Sequence, residues 1–244
     1  MASLKRLQFR FLQCRNCFHH QLHFASNVSS KKLCSADVVI CGGGLSGCSV
    51  AYHLAKLGKN VVVFERDFVG CAGATSVCSG LMTSPINWQN STNQYMNKLS
   101  MDLYTDLAST SKFRFERCGR LYLAHSLTSE IGLRRIYSDS KLLTEEAELI
   151  DDAGDLFERW PVLLTEDVQL ALLSMSDISL DPIGLTQALM HRAKEYSAKF
   201  YEQTAVNEVV LGDDGEVVAV HTDKGIVETS RFVDAAGIVY VLFR

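Results

Sequence analysis

The stretch that most constrains this chain is residues 37–66, DVVICGGGLSGCSVAYHLAKLGKNVVVFER. Val38 to Cys41 is a short apolar run between Asp37 and the glycines from Gly42, the pattern of a buried strand. Gly42, Gly44 and Gly47 then form G-x-G-x-x-G at a strand-to-helix turn. Leu45 to Leu57 reads as a helix with Gly58 as its stop, and Val61 to Phe64 as the next strand. Glu65 ends that strand, 18 residues after Gly47. A complete βαβ unit of this kind commits the chain to an α/β fold with a parallel sheet.

Each part of the unit has a physical task. Gly42 permits the tight turn, Gly44 lets backbone approach a pyrophosphate, and Gly47 lets the helix pack closely on the strand. The helix N-terminus supplies free N–H groups and a positive dipole end to a diphosphate. Glu65 can accept hydrogen bonds from ribose hydroxyls, and its charge would repel a 2′-phosphate. The motif by itself accommodates NAD or FAD.

Charge is spread unevenly. Residues 1–36 hold Lys5, Arg6, Arg10, Arg15, Lys31 and Lys32, five serines and no acid. Leu4, Leu7, Phe11 and Leu12 recur at helical spacing beside Arg6 and Arg10. Basic, serine-containing and acid-free, the segment reads as a mitochondrial transit peptide, with a plain basic tail as the alternative. The remaining 18 basic residues face 28 acids, a net of −10. That sign argues against a nucleic-acid partner, which needs a basic surface. The longest apolar run, Ala235 to Phe243, falls short of the about 20 residues of a membrane span and reads as a buried strand.

Eight cysteines raise the question of a metal or of disulfides. Cys14-x-x-Cys17 with His19, His20 and His23 is half a zinc pattern, but the gap is too short and no second Cys pair follows, so no metal site is expected. Cys41, Cys48, Cys71, Cys78 and Cys118 are odd in number and are expected to be small buried hydrophobes.

Further along, residues 66–80 are too rich in glycine for a helix interior and should be irregular. Residues 90–111 read as a helix with the stripe Tyr95, Leu99, Leu103 and Leu107. Gly119 to Ala124 is a strand, and 126–165 is helical or irregular with a break at Trp160-Pro161. Asp181-Pro182 starts a helix that buries Leu185, Leu189 and Tyr196. The rest is β-rich: 200–201, 205–211, 216–222 and 226–229 are joined by Asp-Asp-Gly and Asp-Lys-Gly turns, and a last strand runs from Arg231 into Ala236-Gly237.

Several of these segments together resemble the D-amino-acid-oxidase-type FAD oxidoreductases, within them the mitochondrial dimethylglycine and sarcosine dehydrogenase branch that includes the pyruvate dehydrogenase phosphatase regulatory subunit. The matching stretches are 36–66, GATSVCSGLMTS (73–84), RCGRLYLA (117–124), LDPIGLTQALMHRAK (180–194) and 204–237. The resemblance implies a Rossmann-type FAD-binding domain interleaved with an α+β substrate domain. Residues 37–112 and 181–244 would form the first, and 113–180 a portion of the second, left incomplete because family members continue well past Ala236-Gly237.

The resemblance also implies site residues. Gly42, Gly44, Leu45, Ser46 and Gly47 would hold the diphosphate, Glu65 the ribose, with Arg66 beside it. Gly73, Ala74, Thr75, Ser76 and Gly80 would run along the diphosphate and under the isoalloxazine. Val206 would touch adenine through its backbone, and Ala236-Gly237 would end a Rossmann strand against the cofactor. Dehydrogenases of the branch carry flavin covalently on a histidine where this chain has Val77. FAD is therefore expected to be non-covalent, and the neighbouring Cys78 to be packed. The implied activity is oxidation of the carbon next to an amine in a small amine or amino acid, in the mitochondrial matrix; the alternative is a flavin-binding regulatory subunit with a mitochondrial protein partner. No catalytic acid or base is evident. Arg120 and His125 are candidates for a substrate carboxylate that read better as surface side chains, as does His53.

Overall fold

The computed structural model describes residues 31–84, 91–143 and 145–238. In its first half the elements are β1 (Lys32–Ser35), β2 (Val38–Cys41), α1 (Leu45–Lys56), β3 (Val61–Phe64), α2 (Gly73–Val77), β4 (Leu81–Met82), α3 (Ser91–Thr110), β5 (Phe115–Arg117) and β6 (Arg120–Ala124). Then follow α4 (Leu127–Leu142), β7 (Ala147–Ile150), α5 (Ala153–Arg159), β8 (Leu170–Ser174), β9 (Ile178–Leu180), α6 (Pro182–Glu195), β10 (Lys199–Tyr201), β11 (Val206–Leu211), β12 (Val217–Thr222), β13 (Gly225–Glu228) and β14 (Phe232–Asp234).

The centre is a parallel sheet in the order β10-β3-β2-β14. Its two inner strands are buried on both faces, which is why they read as unbroken apolar runs. Strand alternation sorts their side chains into two cores. Val38, Ile40, Val61 and Val63 meet Cys48, Ala51, Tyr52 and Ala55 of α1 and Leu185 and Leu189 of α6. Val39, Cys41, Val62 and Phe64 meet Val206, Val220 and Val227 of a second sheet, ordered β1-β13-β12-β11. Three layers result: helices, parallel sheet, meander.

The helices end as their sequences dictate. Past α1, Gly58 adopts φ +78°, its N–H donates to Ala55 O at 2.8 Å, and Lys59 N–H reaches Leu54 O at 3.1 Å, a Schellman closure. At the start of α6, Asp181 Oδ1 accepts the Ile183 amide at 3.0 Å and Pro182 takes the first helical position.

Two small antiparallel sheets follow, β4-β9-β5, whose β4 precedes α3, and β6-β8-β7, whose strands all fall between α3 and α6 in the chain. The latter is covered on one face by α4, through Leu133 and Ile136, and on the other by α5, through Leu156.

Several expectations need correction. Residues 73–77 form one helical turn instead of irregular chain, closed by Ser76 Oγ donating to Gly73 O. Strands β5, β7, β8 and β9 were not foreseen; at three to five residues they are too short for a period to stand out. In α3, Leu107 is buried but Tyr95 and Leu99 are exposed, because only the C-terminal half of the helix packs on the core. Tyr196 caps α6 and is exposed. Residues 32–35, read as leader, are a strand of the meander sheet. The last Rossmann strand stops at Asp234 and Ile238 is exposed, so 235–238 is not buried strand; residues 239–244 lie outside the described residues, as do Cys14, Cys17 and the histidines near them. Among the described residues no helix is long and apolar enough to cross a membrane.

Candidate functional site

Strands β2, β3 and β14 all point their C-terminal ends to one edge of the sheet, where open α/β sheets bind ligands. Gly42, Glu65 and Ala235 follow those ends directly.

The glycine turn is held by close backbone contacts. Gly42 has φ +108°, and a Cβ there would run into Ala235 O. A Cβ on Gly47 would run into Gly42 O. Gly44 differs: a Cβ there would meet only Thr75 Oγ1, at 3.2 Å, a close contact with one side-chain atom and with no backbone. Gly44 is also the N-cap of α1 and offers no side chain to the first turn, which contains no acid. The helix therefore presents its positive end, uncompensated by an acid in the first turn, at the C-terminal edge of the sheet.

Two side chains close on this turn. Glu65 Oε2 accepts the Gly43 amide at 2.6 Å and Oε1 accepts the Asp67 amide at 2.9 Å. These are charge-assisted bonds, and each carboxylate oxygen keeps a second lone pair for a ribose hydroxyl. Thr75 Oγ1 accepts the Leu45 amide at 3.1 Å, so the second glycine-bearing segment sits against the N-terminus of α1. Leu45, assigned to the diphosphate from sequence, thus already has Thr75 as a partner. Gly43 was not singled out in the sequence; its place between Gly42 and Gly44 was the available signal.

The other anticipated residues distribute as follows. Ser46, Arg66, Gly73 and Ala74 are exposed, and Thr75 and Ser76 are half-buried. Gly80 is buried away from open space, its carbonyl accepting the Leu180 amide at 2.8 Å. Thr204 N–H donates to Glu65 O at 2.8 Å, so the chain entering β11 runs beside Glu65 and brings Val206 close to it. On the far side Ala235 N–H donates to Cys41 O at 2.8 Å, and Ala236 N–H to Asp234 Oδ1 at 3.0 Å. Gly237 follows in a left-handed conformation, φ +66°. The turn, Glu65, Thr75, Val206 and Ala236 therefore share one edge.

The thiols divide. Burial pushes Cys41 and Cys48 up to about 12, with Asp234 and Glu65 adding to Cys41, and Glu65 and Glu202 to Cys48. Cys71, Cys78 and Cys118 are exposed, contrary to the expectation of buried hydrophobes, because their segments lie at the surface. Cys78 was expected to be packed; its sulfur instead accepts the Gly80 amide at 3.4 Å from an exposed position. Val77 is 83% exposed.

Arg120 is not a free cation. Its Nε lies 3.4 Å from Asp177 Oδ1, a contact without hydrogen-bond alignment, and its Nη1 donates to Tyr122 Oη at 3.4 Å. Asp177 is buried and its Oδ2 accepts from Ser174 Oγ at 2.7 Å. His125 Nδ1 is 3.2 Å from Asp167 Oδ2 at the surface, and His53 packs edge-on against Tyr52. Among the described residues no cluster of His, Cys, Asp and Glu has the makings of a metal site.

Comparison with known proteins decides the family. The profile of DAO, FAD dependent oxidoreductase, matches residues 37–242. The chain belongs to the DAO family of FAD-dependent oxidoreductases. It is 33% identical over 205 residues to the mitochondrial pyruvate dehydrogenase phosphatase regulatory subunit of Mus musculus, covering 83% of this chain and 23% of that protein. It is 31% identical to the 4-methylaminobutanoate oxidase (formaldehyde-forming) of Paenarthrobacter nicotinovorans, with 82% and 24% covered. With the mitochondrial dimethylglycine dehydrogenase of Mus musculus it shares 28%, with 83% and 23% covered. The chain thus spans about a quarter of the length of these curated relatives. Among solved structures, L-proline dehydrogenase from P. horikoshii superposes with a TM-score of 0.75 at 27% identity, over 86% of this chain and 55% of that one. The DAO fold and its FAD dependence are shared by this chain; the glycine turn at Gly44, the free end of α1 and the Glu65 carboxylate fit that cofactor.

Proposed function

We propose that the chain binds FAD non-covalently along the C-terminal edge of its parallel sheet and serves oxidation of the carbon next to the nitrogen of a small amine or amino acid. The observation that carries this reading is the convergence of Glu65 and Thr75 on the glycine turn at the N-terminus of α1. FAD, when bound, supplies the hydride-accepting chemistry. The chain's own residues do the holding. The first amides of α1, Ser46 among them, and the Thr75 hydroxyl face the diphosphate; Glu65 accepts from the ribose; residues 73–76 flank the diphosphate; Val206 backbone and Ala236-Gly237 border the nucleotide.

The substrate class rests on relatives named for N-methyl amines, dimethylglycine and 4-methylaminobutanoate. Non-covalent binding rests on Val77, which has no nucleophile at the position where the branch has its flavin-bearing histidine. The mitochondrial relatives and the acid-free basic N-terminus support a mitochondrial, matrix location.

A second reading has its own support: the 33% identity to a regulatory subunit. On that reading the flavin is a structural ligand and the chain acts on a mitochondrial protein partner. The two separate when the flavin-loaded protein is mixed anaerobically with dimethylglycine, sarcosine or 4-methylaminobutanoate. Bleaching of the flavin's visible band by any of them supports the oxidoreductase. A flavin that none of them reduces refutes this substrate class and favours the regulatory reading.

A further inference from the structure

We propose that α5 and the segment that follows it, residues 157–167, form a docking surface for a partner protein that presents lysine or arginine together with apolar side chains. None of these residues is assigned to the cofactor, so the surface serves the chain whether its flavin is catalytic or structural.

Charge selects the sign of the partner. Residues 37–244 carry a net of −10, and residues 145–167 alone hold nine acids and one base, Arg159, a net of −8. The rest of 37–244 is nearly balanced, with 17 basic residues against 19 acidic. Arg159 is already engaged. Its two terminal nitrogens donate to both oxygens of Glu148, at 2.9 and 3.0 Å, and Asp155 Oδ2 lies 3.7 Å away. Its guanidinium also stands 4.7 Å from the centre of the Trp160 ring. Asp151, Glu158 and Glu166 are exposed and enter no ion pair among the described residues. Their field repels a second copy of this chain, a nucleic acid and an anionic membrane alike, and draws in a cationic surface.

Packing supplies the apolar half. Leu156 is buried, and Trp160, one helical turn on, packs on the same cluster with Ile150, Ala171 and Leu173. That alignment leaves Phe157 outside the core, 54% exposed. Leu163 N–H then donates to Trp160 O at 3.0 Å, and Val168 N–H to Thr165 O at 3.1 Å. These turns bury Thr165 and leave Val162 and Leu164 at 91% and 86% exposure. Three large apolar side chains within eight residues, exposed and flanked by unpaired acids, have the make-up of an interface with an apolar centre and a charged rim. A partner that covers Val162 and Leu164 gains their burial, and its cations meet Asp151, Glu158 and Glu166.

The test uses the full chain and a fluorescent helical peptide of about 18 residues, leucine on one face and lysine on the other, with a glutamate-for-lysine counterpart as control. Anisotropy should show binding of the lysine peptide and none of the glutamate peptide. A Val162→Ser, Leu164→Ser protein should bind the lysine peptide about tenfold more weakly. A Glu158→Gln, Glu166→Gln protein should lose affinity at low salt and differ less from the parent at high salt. All four positions are exposed, so far-UV circular dichroism should match the parent in both variants. Absence of binding, or equal binding of the glutamate peptide, overturns the proposal. So does an unchanged affinity in the serine variant, which would reduce the effect to attraction between opposite charges. Uptake of the parent onto vesicles of phosphatidylserine and phosphatidylcholine would also overturn it, in favour of a lipid surface. Peptide binding is read without any flavin chemistry, so its failure is distinct from a failure of FAD binding.

Discussion

Leu45 and Thr75, 30 residues apart, meet through one hydrogen bond in which the Leu45 amide donates to Thr75 Oγ1 at 3.1 Å. The bond joins the first turn of α1 to the one-turn helix α2. The two glycine-bearing segments therefore meet at the N-terminus of α1.

Thr75→Val removes the acceptor and leaves the shape. The loss is comparable to that of a helix cap, about 1 kcal/mol. The melting temperature should fall by about 2–4 °C and FAD affinity by about tenfold, while Thr75→Ser should stay near the parent in both. Calorimetry and a flavin fluorescence titration measure the two quantities. A valine variant unchanged in both would show that this bond does not hold the turn.

Glu65, proposed to hold the ribose, ties the end of β3 to the glycine turn by accepting the Gly43 amide at 2.6 Å. Glu65→Gln keeps the size and removes the charge. Charge-assisted bonds become neutral ones, about half as strong. Binding of ADP should weaken by about tenfold, and the preference for ADP over its 2′-phosphorylated counterpart should shrink. Isothermal titration with both nucleotides provides the check; an unchanged preference would remove Glu65 from the ribose site.

The thiols should separate by reactivity. Cys71, Cys78 and Cys118 are exposed and should be alkylated in the native protein. Cys41 and Cys48, held at about 12 by burial, should react only after unfolding. Both have a folded value above the ordinary thiol value of 9. The unfolded chain therefore releases these protons first as pH rises. Their contribution to stability is intact below pH 9 and is lost progressively from there to pH 12. Urea midpoints between these limits should fall more slowly in a Cys41→Ala, Cys48→Ala protein. Parallel curves would place the alkaline loss elsewhere.

Bound flavin should be removable. Acid precipitation should leave it in the supernatant and a colourless pellet, since Val77 offers no attachment. Colour retained in the denatured pellet would point to Cys78, which is exposed one residue further on.

Much of the parallel-sheet layer was legible in the sequence because several signals coincide there. Val38 to Cys41 and Val61 to Phe64 are buried on both faces, Gly58 and Asp181-Pro182 mark helix ends by their backbone demands, and two Asp/Gly turns set the meander. Of the strands in residues 115–180, β6 was legible as 119–124, and β5, β7, β8 and β9 were not. Leu170 to Ser174 is buried throughout and shows no alternation to distinguish it from helix. In α3 the apolar spacing was present, but spacing does not say how much of a helix finds a partner. At the site, Gly42, Gly47 and Glu65 were legible through the fingerprint. The bonds from Gly43 to Glu65 and from Leu45 to Thr75 depend on how the chain closes in space, and Lys31 to Ala36 were hidden by resembling the charged segment before them.

The most direct test of FAD binding at the N-terminus of α1 is the flavin content of a Gly44→Val protein. A Cβ at Gly44 meets only Thr75 Oγ1, at 3.2 Å, so the variant should fold, with far-UV circular dichroism like that of the parent. Its side chain would stand where backbone must approach the diphosphate. The predicted result is a folded protein that purifies without flavin and takes up none on titration. A folded Gly44→Val protein that keeps the parent's flavin spectrum and affinity would contradict the account.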